Sequence, residues 1–79
     1  MTKPLSMYSV RVSFQLLGSM CVVAIHAHAW NSERALWLAR DFCARKFSQR
    51  PSIFEVHELR LLCTSRLKNE KASLIQTFK

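Results

Sequence analysis

Between Val12 and Ser32 the chain carries no Asp, Glu, Lys or Arg, and no acid occurs before Glu33. A stretch this poor in charge constrains the chain more than any other feature, because it must leave water or be removed. Its apolar centre runs from Val12 to Ile25 and then gives way to His26-Ala27-His28-Ala29. A membrane-crossing helix needs about 20 predominantly apolar residues. Reaching that length here draws in Gln15, two serines and two histidines, whose burial costs free energy. A secretory leader needs less: a basic start, an apolar core of about 7–15 residues and small side chains at the cut. Lys3 and Arg11 supply the start, and Ala27 and Ala29 stand at the −3 and −1 positions of a cleavage after Ala29. The expected organisation is therefore a signal peptide or membrane anchor over residues 1–29, then a basic segment over 30–79.

The second part reads as two helices. Asn31 and Ser32 are good N-cap residues, and Glu33 lies in the first turn, where the helix dipole favours an anion. Leu36, Ala39, Cys43 and Phe47 then recur on one helical face, widened by Ala35 and Phe42, with Arg34, Asp41 and Arg45 opposite. Trp37 falls towards the polar side. Pro51 disfavours helical geometry at Arg50. Ser52 and Glu55 have the spacing of a capping box. Val56, Leu59, Cys63 and Leu67 form a stripe beyond it, extended by Leu74 and Phe78. The spacing predicts helices over about 32–47 and 53–71, the second reaching to 78 if it persists. The whole is expected to be all-α: an N-terminal apolar helix followed by a two-helix hairpin. A single glycine, Gly18, argues against a hairpin-rich β domain or a phosphate-cradling loop, since both need backbone at positive φ.

Cys21 would leave with a leader, and Cys43 and Cys63 would enter an oxidising compartment as a candidate disulfide. Against that pairing, a turn near Arg50 sets Cys43 across from about His57, six residues short of Cys63, which is roughly 9 Å along a helix. His26 and His28 form an H-x-H pair, which can chelate on a strand but points about 200° apart on a helix. No metal, cofactor or small-molecule substrate is assigned, and no spacing suggests a nucleophile, base and acid working together. A segment this short offers little wall for a pocket, so we expect no enzyme.

Ten of the twelve Lys/Arg and all five acids follow Ala29, leaving residues 30–79 at +5 of the chain's +7. Such a surface favours anionic partners. With no long basic run and no aromatic platform, nucleic acid is not the expected one. The leading expectation is a small secreted basic helical polypeptide that binds a partner protein or an anionic membrane surface. Trp37, Phe42 and Phe47 would anchor it, and Arg45, Lys46, Arg66 and Lys68 would supply charge. The first alternative is a single-pass membrane protein serving as accessory subunit of a larger complex. The second is a short chain with no evolved function.

Overall fold

The computed structural model describes residues 4–78. Lys3, part of the expected basic start, lies outside them. In it most of the uncharged stretch, with the residues from Ser6 that precede it, forms a β-hairpin. Strand β1 (Ser6–Leu16) and strand β2 (Ser19–Ala29) pair antiparallel without interruption from Ser6↔Ala29 to Leu16↔Ser19. The reason is alternation. Tyr8, Val10, Val12 and Phe14 are buried, while Arg11 among them and Gln15 after them are exposed. Val23, Ile25, Ala27 and Ala29 continue the same face of the sheet in β2. The loop is two residues long, and both have positive φ, Leu17 at 52° and Gly18 at 81°. That is the turn whose twist suits a tight hairpin. The lone glycine is thus the residue that makes a hairpin rather than an argument against one.

Helix α1 (Ser32–Phe47) follows directly. The Asn31 side chain accepts from the Arg34 amide at 2.9 Å. The helix ends at Ser48, which is left-handed (φ 53°) and donates its N–H to the Ala44 carbonyl. Its inner face is small: Ala35, Ala39 and Cys43 are fully buried, and Ala44 nearly so. These side chains meet Ala27, Ala29, Val23 and Ile25 of the hairpin in one core. Alanine on both sides lets helix and sheet backbones approach closely. Each fully buried Val or Ile in that core contributes roughly 1.5–3 kcal/mol. Phe14 is held between Phe47 and Phe54, with ring centroids 4.7 and 4.8 Å away.

After a short 3-10 turn (Pro51–Ile53), strand β3 (Glu55–Thr64) pairs antiparallel with β1. The chain then crosses to the far side of the hairpin, and strand β4 (Lys71–Phe78) pairs antiparallel with β2. The sheet order is β3-β1-β2-β4. The hairpin occupies the centre, β3 and β4 are the open edges, and α1 covers one face. The crossing is pinned at Ser65, whose amide donates to the Leu5 carbonyl at 2.8 Å and whose Oγ lies 2.6 Å from His28 Nδ1. It is pinned again at Glu70, whose carboxylate takes the Arg34 guanidinium at 2.6 Å and the Trp30 amide at 3.3 Å.

Several expectations are overturned here. The molecule is a mostly antiparallel sheet with one helix, not an all-α fold. The N-terminal apolar helix is the β1–β2 hairpin, and no helix among the described residues is long and apolar enough to cross a membrane. The second helix of the expected pair is β3, a loop and β4. Ser52 lies in the 3-10 turn and Glu55 opens β3, so the two form no capping box. The cause is irregularity in the edge strands. The register against β1 shifts so that His57 and Leu62 have no cross-strand partner, and a similar shift leaves Ile75 unpaired against β2. Each added residue lengthens one step of the two-residue period to three. Val56 and Leu59 therefore both pack towards the core, at a spacing that a helix would also produce.

Candidate functional site

Edge strand β4 runs beside α1, and a groove of about 440 Å³ lies between them. Its apolar floor is Leu38 and Phe42 from the helix and Ala72 from the strand, all partly buried against the core. The helical periodicity that turns Ala35, Ala39 and Cys43 into the sheet leaves Leu38 and Phe42 at the margin of that face. Arg45 and Lys46 border the groove, together with Asp41, Glu70 and the start of β4 at Lys71, whose side chain shares the opposite face with its cross-strand partner His28. Both acids are engaged. Asp41 takes Arg45 Nε at 3.3 Å, and Glu70 is held by Arg34 from outside the groove. The Arg34 guanidinium lowers the Glu70 pKa, so the carboxylate stays charged and paired. With Arg34 counted, three cations (Arg34, Arg45 and Lys46) meet two acids on this rim. β4 is also a sheet edge, so backbone N–H and C=O groups along its outer side have no strand neighbour. The site thus combines an apolar slot, a cationic border and an open hydrogen-bonding edge.

The residues singled out in the sequence are scattered relative to this arrangement. Phe42, Arg45 and Lys46 belong to the groove. Phe47 is packed against Phe14 and is a core residue, not an anchor. Trp37 is half-exposed on the outer side of the helix under the Arg34 guanidinium, 5.0 Å from the ring centroid. Arg66 and Lys68 are exposed in the β3–β4 crossing and do not line the groove. Cys43 is buried beneath α1 and Cys63 exposed on β3, and both are free thiols, so the candidate disulfide is not formed. Ala27 and Ala29 are fully buried in β2 under the helix, not displayed at an accessible cleavage site. Leu38 and Ala72 carry no signal of their own in the spacing, and Glu70 and Lys71 read only as charges on the expected second helix, Glu70 as an i, i+4 partner of Arg66 and Lys71 in a basic group with Arg66 and Lys68.

The sheet face away from α1 holds two polar pairs. Ser13 is buried beneath His57, its Oγ in hydrogen-bond contact with Nε2. His28 shares this face with His26, as alternate residues of a strand do. Its pKa is lowered by partial burial first and by the nearby His26 and Lys71 second. The neutral ring suits Ser65, whose Oγ accepts the Leu67 amide at 3.0 Å and can donate to His28 Nδ1. Among the described residues no group of three or more His, Cys, Asp or Glu could hold a metal. Comparison with family models, curated proteins and solved structures finds no match to this chain.

Proposed function

We propose that the chain is a protein-binding module that captures an extended, acidic and apolar segment of its partner along β4. The segment adds a strand to the open edge, and alternate side chains drop into the α1–β4 groove or meet its cations. The observation that carries this reading is the coincidence of a free strand edge with a slot floored by Leu38, Phe42 and Ala72 and bordered by Arg45 and Lys46. Main-chain pairing supplies affinity that does not depend on sequence. The slot and the rim select apolar and acidic side chains. Phe42 and Phe47 pack against the core, which favours this reading over insertion of the helix into a membrane surface.

The test is a titration of isotope-labelled protein with two capped nonapeptides, one alternating Asp and Val, the other Lys and Val. The acidic peptide is expected to shift amides of Lys71–Thr77 and of α1 around Phe42, more weakly as salt rises. The basic peptide is expected to leave them in place. Reversing both rim cations (Arg45→Glu with Lys46→Glu) should weaken the acidic peptide roughly tenfold. Equal binding of the two peptides, or shifts confined to the Trp37 side of the helix, would rule the reading out.

A further inference from the structure

The opposite edge of the sheet has a different character. Strand β3 carries Glu55, Glu58 and Arg60, so it nets −1 on a chain of +7. It also exposes apolar side chains: Leu61 is 61% exposed and Leu62 37%. Between its two unpaired residues, His57 and Leu62, the segment Glu58–Leu61 pairs regularly with Arg11–Tyr8 of β1. From this edge we infer that the chain forms a two-fold dimer in which β3 pairs antiparallel with β3 of a second copy, centred on Leu59.

Charge chooses that register. In an antiparallel pair, residues directly opposite share a face and their side chains meet. A two-fold centred on Leu59 sets Glu58 of each copy against Arg60 of the other, giving two opposite-charge pairs, and brings the two Leu59 side chains together. A centre on Glu58 would oppose two glutamates, and a centre on Arg60 two arginines. A centre between neighbouring residues would set side chains of opposite faces against each other, which an antiparallel pair does not allow. A centre on Leu61 would run into the irregularity at Leu62. Only the Leu59 register satisfies charge and polarity together within the regular segment. It also keeps face with face, so the two four-stranded sheets continue as one sheet of eight with both helices on the same side. Leu59 is already partly buried against the core, so its twin would extend that core across the axis. The contact is isologous and closes on itself, leaving both copies of β4 free at the outer edges. Strand β4 has no such self-complementarity, since Lys71 is its only charged residue.

The experiment is a charge exchange read by sedimentation equilibrium on the full chain. The wild type is expected to be dimeric at tens of micromolar. Arg60→Glu and Glu58→Arg each place like charges across the axis twice, and each should raise the dimer dissociation constant tenfold or more. An equimolar mixture of the two variants restores both opposite-charge pairs and should associate as a heterodimer. Far-UV circular dichroism and a cooperative melt confirm that each variant is folded. Because Glu58 also faces Arg11 in its own sheet, a second variant keeps the question decidable if Glu58→Arg does not fold. Leu59→Cys, with Cys21→Ser and Cys63→Ser, puts one thiol beside its twin and should cross-link to a dimer on mild oxidation. A monomeric wild type, variants that dimerise as the wild type does, a mixture that stays monomeric, or growth beyond dimers with concentration would each overturn the inference.

Discussion

Leu17 is the residue at which the hairpin departs most from what its side chain prefers. It is 97% exposed and sits at φ 52°, where a Cβ is disfavoured. Asparagine tolerates that region and precedes glycine in the preferred version of this turn. Leu17→Asn should therefore stabilise the fold by about 1 kcal/mol, read as a rise in melting temperature. The thiols should separate equally cleanly. Burial pushes the Cys43 thiol up to about 11, so iodoacetamide should modify the exposed Cys63 in the native protein and reach Cys43 only after denaturant is added. His28 links stability to pH. Its pKa is lower in the folded chain than the ordinary 6.5, so the unfolded chain takes up the proton first as pH falls. The stabilisation is full above about 6.5 and is lost as pH drops through the folded pKa. The melting temperature should be lower at pH 5.5 than at pH 7.5, and His28→Gln should reduce that difference. Glu70 shifts in the carboxylate range and acts below this window.

At the scale of elements, the seam between α1 and the hairpin is built from alanine. Ala35 and Ala39 on the helix and Ala27 and Ala29 on the sheet are all fully buried. A larger side chain has no space there, so Ala39→Leu should cost about 1–3 kcal/mol through overpacking, measured by urea unfolding. The helix was legible because its stripe, its Asn31 cap and the Pro51 stop are local signals that agree. The strands were legible in part. Val10-Arg11-Val12-Ser13-Phe14-Gln15 alternates cleanly, and so does Ile25-His26-Ala27-His28-Ala29. What obscured them was the join. Near the turn, Cys21, Val22 and Val23 interrupt the alternation, so the whole reads as one apolar run. Edge strands β3 and β4 were hidden by their irregular steps, which break the two-residue period where a short strand has little pattern to spare. The groove was half visible. Its helix side followed from periodicity, while Lys71 and Ala72 come from an element that pairs with a strand more than forty residues away in sequence, a contact no local spacing encodes.

The molecule as a whole depends on the segment that by composition alone passes for a leader. Residues 6–29 form both central strands, and every other strand pairs with one of them. A chain beginning at Trp30 would keep α1, β3 and β4 but lose the partner of each edge strand and the surface α1 covers. The fragment 30–79 should show no cooperative melt and little strand signal by circular dichroism, whereas the full chain should show both. N-terminal sequencing of the protein from cells then reports whether it is the intact chain or the piece after Ala29 that accumulates. The order of elements also has a consequence for biosynthesis. The hairpin is translated first, and the strands that seal its two sides come later. At about 5–20 residues per second, some 49 further residues must be added before β4 is complete, a delay of roughly 2–10 s. During that delay β3 can close the β1 side once Thr64 is made, but the β2 side of the hairpin stays open until β4 arrives. The sheet is therefore closed in the order of synthesis, first along β1 and last along β2.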